Sequence, residues 1–216
     1  MREFITYEWF TIFIVLALVS VVIAKSLHSI RFNDFLYVVG NSKYLKIYSR
    51  DQKFIDTFDG FLFFNLTICL SIFTYFCYTQ FVETIVFDLN SFLKLSFAIA
   101  TILIIKVLVE RLVASLFEID NIIDVYLFQK TTFKNYSGLI LLVANLFLIY
   151  TNSVPEIIII SVICVICILN LIGFYSSFKT YQNTINLNLF YFLLYLCALE
   201  IGPYILLYKI IKDYNV

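Results

Sequence analysis

The chain has 216 residues, of which 62% are hydrophobic and only 14% charged, and it carries no net charge. A soluble domain averages about 45–50% apolar and about 25% charged residues, so the apolar excess must face something other than water. Five Gly and two Pro exclude collagen-like and low-complexity chains, the apolar content excludes disorder, and the neutral balance gives no signal for nucleic acid. One His and five scattered Cys leave little for a metal centre. Neither a metal nor a cofactor is expected.

A bilayer core about 30 Å thick takes roughly 20 apolar residues as a helix. The stretches near 9–24, 61–81, 93–112, 136–150, 157–174 and 187–208 approach that length. They are apolar on all sides and lack the alternation of a barrel wall. The expected fold is therefore all-α, a polytopic transmembrane helical bundle of about six spans forming one domain over 1–216. Amphipathic interfacial helices are expected in the connections 25–60 and 113–135. The stretch 136–150 is short for a crossing.

In the first stretch, Val22-Ile23-Ala24 resembles a signal-peptide cleavage site. Glu3 and Glu8 offset Arg2, however, and cleavage would send a strongly basic loop outward, so this stretch reads as a retained span. The connection after it carries an apolar stripe, Phe32, Phe35, Leu36, Val38 and Val39, and a stop at Gly40-Asn41. A second stripe follows with Tyr44, Leu45, Ile47 and Tyr48. Arg31, Lys43, Lys46, Arg50 and Lys53 lie among these residues, so the hairpin suits anionic headgroups or a partner subunit. His28, beside Arg31, Asn33 and Asp34, is the one weak candidate for lipid-directed chemistry.

Within the spans, Asn65, Thr67, Asn145 and Asn170 suit hydrogen bonds between helices. The third span contains Lys94 and Lys106 and ends at Glu110-Arg111. The connection that follows sets Glu118, Asp120 and Asp124 against an apolar face of Ile119, Ile122, Ile123, Tyr126 and Leu127. This acidic cytoplasmic helix is expected to dock on the basic hairpin. Asp120 and Asp124 sit at i and i+4, but two carboxylates alone read as structural rather than as an ion site. Cys164 and Cys167 form a C-x-x-C that reads as core filling in an apolar helix.

Glu200 lies in the last stretch, just before a kink expected at Gly202-Pro203. A lipid-facing carboxylate costs on the order of 3 kcal/mol, so Glu200 should face other helices. Counting 1.5 Å per residue from the span ends leaves Glu200 and Lys106 roughly 10 Å apart in depth, a gap that two long side chains can bridge. They are the expected buried pair. Lys and Arg concentrate in alternate connections, which places the basic connections in the cytoplasm and both termini outside.

The runs Arg31-Phe32-Asn33-Asp34-Phe35-Leu36 and Tyr191-Phe192-Leu193-Leu194-Tyr195-Leu196-Cys197-Ala198-Leu199-Glu200-Ile201-Gly202-Pro203 resemble an uncharacterised integral-membrane family of Bacteroidota, known only as a domain of unknown function. The resemblance covers most of the chain. It implies a bacterial inner membrane and, by association alone, the secretion or gliding machinery of that phylum. It implies no activity. The leading functional expectation is a non-enzymatic subunit or scaffold of an envelope complex, with the bilayer and other membrane subunits as partners and no nucleic acid. The alternatives are a small transporter or lipid translocator using Glu200 and Lys106, and a membrane-embedded lipid-modifying enzyme. No H-E-x-x-H, G-x-S-x-G or phosphate-cradling Gly loop supports the last.

Overall fold

The computed structural model describes residues 4–40, 43–49, 56–82, 87–116, 120–151 and 156–187. Among them every regular element is a helix: α1 (Phe4–Leu27), α2 (Ser29–Leu36), α3 (Lys43–Tyr48), α4 (Thr57–Phe81), α5 (Leu89–Leu116), α6 (Asp120–Tyr150) and α7 (Glu156–Leu187). Five of these, α1, α4, α5, α6 and α7, are long and apolar enough to cross a membrane. The expected sixth stretch, 187–208, lies almost wholly outside the described residues.

The long helices alternate in direction. Phe10 near the start of α1 packs on Tyr75 and Phe76 near the end of α4, with ring centroids 5.3 and 5.5 Å apart. At the other end of the same two helices, His28 meets Phe58 edge-on. Thr11 and Tyr150 hydrogen-bond across α1 and α6 at 3.2 Å. Helices α4 and α6 therefore run parallel and form the centre of the bundle. Asn145 donates from Nδ2 to the Cys69 carbonyl across this contact at 2.8 Å, which bears out its role as interhelical glue. Asn170 instead donates to Ile166 within α7, and Thr67 to Phe63 within α4.

Two glycines set the helix spacing. A Cβ added at Gly138 would come within 3.0 Å of the Leu66 Cα, so α4 and α6 touch backbone to backbone there. A Cβ at Gly173 would lie 2.6 Å from the Phe133 ring and 2.8 Å from its Cβ, so α7 closes directly on α6. Gly173→Val forces these helices apart or turns a buried ring out of its rotamer. A loss of about 1–3 kcal/mol is expected, read as a lower melting temperature in detergent, whereas Val at exposed Leu171 leaves it unchanged.

Two apolar clusters fill the bundle. The first joins Phe10, Ile14, Ile72, Phe92, Leu148 and Ile159 at the end where α5 begins. The second joins Ala24, Phe32, Phe35, Tyr44, Phe58, Leu62, Phe128 and Phe133 at the opposite end. That opposite end also gathers Lys25, Arg31, Lys46, Arg111, Lys130 and Lys134, and is called the basic end below.

Two expectations change. The fourth long helix does not begin near 136: α6 runs unbroken from Asp120, so Asp120 and Asp124 lie in the first turns of the same helix. Gln129, Thr132 and Asn135, at the end of the stretch 113–135 expected to be an interfacial connection, are all buried. Cys164 and Cys167 do not fill the core; both are exposed on α7. The side chains at 1–7, including Glu3, lie outside the description, while Phe10, Ile14 and Ala17 embed α1 in the bundle.

Candidate functional site

At the basic end, α2 and α3 form a strap that crosses the mouth of the bundle. A bend at His28, with φ −134° and ψ 58°, turns the chain off the axis of α1 and starts α2. The apolar period then buries Phe32 and Phe35, and both rings reach Phe58 in the first turn of α4. Tyr44 and Leu45 anchor α3 in the same way. Tyr44 stacks on Phe128 of α6 with centroids 5.8 Å apart, and Phe35 meets Tyr136 edge-on at the same separation. Among the described residues the strap docks on α6 through aromatic rings; the side chains of Lys43, Arg50, Lys53, Glu118 and Asp120, on which the expected charge docking turns, lie outside the description.

Arg31 is the hub of this strap. Its Nη1 bonds the Asp56 carboxylate, its Nη2 donates to Asp59 at 2.8 Å, and its Nε donates to the Tyr44 hydroxyl at 3.3 Å. The guanidinium also lies over the Phe58 ring at 4.6 Å and the Tyr48 ring at 5.3 Å. Tyr48 in turn donates to Asp34 at 3.3 Å, closing α3 against α2. With 11% of its side chain exposed, Arg31 is turned into the bundle, away from any headgroup or partner.

Asp56 occupies the N-cap position of α4, where a carboxylate ordinarily accepts from the first turn. Its side chain makes no such bond and holds Arg31 instead. Asp59, one turn later, adds a negative charge where the helix dipole favours one. Burial favours the neutral acid at Asp56, but the hydrogen bond and charge of Arg31 outweigh it and hold the carboxyl below its ordinary value of 3.8. Burial pushes the Tyr44 hydroxyl well above the usual tyrosine range, so it stays neutral and accepts from Arg31.

The lowered Asp56 value fixes a sign. A depressed folded value gives stability that is present above the unfolded value and lost as pH falls through the folded one. The melting-temperature gap between wild type and Asp56→Asn is therefore expected to be constant at neutral pH and to close below about pH 3.8.

A second charged pair lies beside the strap. Lys130 of α6 donates to Glu110 of α5 at 2.6 Å, and Glu110 is 1% exposed against 14% for Lys130. The ammonium also sits 5.5 Å from the Tyr126 ring. Glu110 Oε2 has no hydrogen-bond partner. Arg111 and Asp124, both more exposed, approach to 3.7 Å just outside this pair.

The sequence-predicted residues divide accordingly. Arg31 and Asp124 belong to this layer. Lys46 is exposed on the outer face of the strap, and Lys106 is half-buried on α5. Lys43 opens α3, and Asp120 opens α6. Arg50, Lys53, Glu118, Glu200, Gly202 and Pro203 lie outside the described residues. Sequence reasoning missed Asp56, Asp59, Tyr44 and the Glu110–Lys130 pair. Two acids opening an apolar run at 56 and 59 signal a helix start, but nothing in the sequence names their partner. Among the described residues no three His, Cys, Asp or Glu side chains are grouped to hold a metal ion.

Five long apolar helices around a charged layer define a helical membrane protein. The chain belongs to the DUF4271 family, a domain of unknown function, whose pattern it matches over residues 10–211. Neither a curated protein nor a solved structure matches it.

Proposed function

We propose that the protein is a non-enzymatic, multi-pass subunit or scaffold of a bacterial inner-membrane complex, with the basic end in the cytoplasm and the N-terminus outside. The observation that carries this reading is the two-sidedness of the strap. Its inner face is taken up by the Arg31 hub and the aromatic contacts. Its outer face displays Ile30, Tyr37 and Ile47, with Lys25 and Lys46 beside them. Exposed apolar side chains on a rigidly held, basic element suit a partner subunit at the membrane surface. The gathering of Lys and Arg at that end supports the orientation.

Purification from native membranes in mild detergent tests the proposal. A partner should come with the chain in fixed ratio, and Ile30→Glu with Tyr37→Glu should release it without lowering the melting temperature. Recovery of the chain alone under every mild condition overturns it. A transporter is the second reading, favoured by a buried carboxylate with one oxygen unpartnered. Its mark would be flux in proteoliposomes of the purified chain that Glu110→Gln abolishes.

A further inference from the structure

The polar residues of α6 nearest the basic end form one row. Gln129, Thr132 and Asn135 follow each other at intervals of three, so their side chains are neighbours along a single ridge of the helix. Gly138 is the next position of that ridge, and a Cβ there would come 3.3 Å from Nδ2 of Asn65 on α4. Asn65 thus continues the row across the helix contact. Its Oδ1 accepts from Cys69 Sγ at 3.5 Å, and the Cys69 carbonyl in turn accepts from Asn145. All six residues are at most 1% exposed.

Gln129 Oε1, Thr132 Oγ1, Asn65 Nδ2, both amide atoms of Asn135 and Asn145 Oδ1 have no hydrogen-bond partner among the described residues. Buried polar atoms in folded proteins pair with the protein or with ordered water. We propose that the row is a binding site for a file of water molecules, which bridge Gln129, Thr132, Asn135 and Asn65 through the interior of the bundle and reach Asn145.

The chemistry of these unpaired atoms selects the ligand. A metal cation is met by oxygens alone, and an anion by donors alone. This row mixes the two: amide N–H groups at Asn65 and Asn135, amide carbonyls at Gln129, Asn135 and Asn145, and a Thr132 hydroxyl that can do both. Exchanging oxygen and nitrogen in any of the amides leaves the mixture in place. The ligand must therefore be neutral and able to donate and accept. Spacing makes it small: Cβ atoms three residues apart on a helix stand about 5–6 Å apart, a gap that two hydrogen bonds of about 2.8 Å span through one oxygen. From Gln129 to Asn145 the row covers about 24 Å at 1.5 Å per residue.

Packing closes the row at both ends. Thr132 lies between Phe128 and Tyr136 on an i, i+4, i+8 line of α6, and those two rings carry Tyr44 and Phe35 of the strap. The strap therefore roofs the row at the basic end. Beyond Asn145, Leu148 and Ile149 belong to the other apolar cluster, with Phe10 and Phe92. The water file is thus enclosed, and it holds whether or not the chain has partner subunits.

Water-edited solid-state NMR of the full chain in liposomes tests it, by timing polarisation transfer from water to assigned side chains. The amides of Gln129, Asn135 and Asn65 are expected to build up at a rate close to that of exposed Asn33, and several-fold faster than the methyls of Leu148 in the apolar cluster. Asn135→Leu should interrupt the file and slow the transfer to Asn65. Thr132→Val removes the hydroxyl at nearly constant shape. If water bridges that hydroxyl, the ratio of folded to unfolded protein falls roughly fivefold, whereas loss of a hydroxyl that pairs with nothing raises it. Transfer to Asn65 and Asn135 as slow as to Leu148 overturns the proposal. So does a Thr132→Val variant more stable than wild type.

Discussion

Lys130→Met is expected to destabilise the protein by about 3–5 kcal/mol, because it leaves the buried Glu110 side chain without its cation. Glu110 is 1% exposed, so water cannot replace the ammonium. The damage should be local before it is global. In the basic half of α5 the buried residues among those described are Glu110 and Ala114, and Ala114 is fully buried. In an otherwise cysteine-free chain, Ala114→Cys should resist maleimide with Lys130 present and react readily in the Lys130→Met variant. Adding Glu110→Gln to Lys130→Met removes the stranded charge and should recover most of the lost stability. If the double variant is as unstable as the single one, the pair contributes through packing and not through charge.

Arg31→Ala is the second large effect. It removes two carboxylate bonds, the bond to Tyr44 and two ring contacts in one change, and leaves Asp56 and Asp59, neighbours at the start of α4, without their shared cation. A loss of about 3 kcal/mol follows from stripping the partner from such a pair, or roughly 10 °C in melting temperature for a chain of this length. The strap should come free as the first event. Trypsin cutting at Lys46 would then rise well before the long helices unfold. Arg31→Lys keeps the charge, but a single ammonium cannot reach two carboxylates and a hydroxyl at once. It should restore only part of the protection. Equal trypsin sensitivity in wild type and Arg31→Ala would show that the aromatic contacts of Phe35 and Tyr44 hold the strap unaided.

The subunit reading and the Arg31 hub meet in this experiment. If the outer face of the strap binds a partner, Arg31→Ala should weaken copurification as well, because the presenting surface loses its rigid backing. Ile30→Glu with Tyr37→Glu should remove the partner and leave trypsin resistance intact. Two variants on one short element would thus separate holding the surface in place from being that surface.

The sequence by itself determined the solvent and the class of fold. Uniformly apolar runs of about 20 residues permit only helices with internally paired backbones, whatever those helices pack against. It also determined the stripes of α2 and α3, because Phe32, Phe35, Tyr44 and Leu45 fall at helical spacing and any folded form must bury them. What the tertiary structure alone decided is which polar groups meet. Arg31 and Asp56 are 25 residues apart and Glu110 and Lys130 are 20 apart, and each pair lies on different helices whose relative register no local pattern encodes. The same holds for the start of the fourth span. Gln129, Thr132 and Asn135 look solvated in one dimension, and only the packing of the strap, α4 and α7 around α6 turns that stretch into the interior of a helix 31 residues long. Composition acts residue by residue and survives in the string, whereas pairing depends on where glycines such as Gly138 and Gly173 let backbones touch.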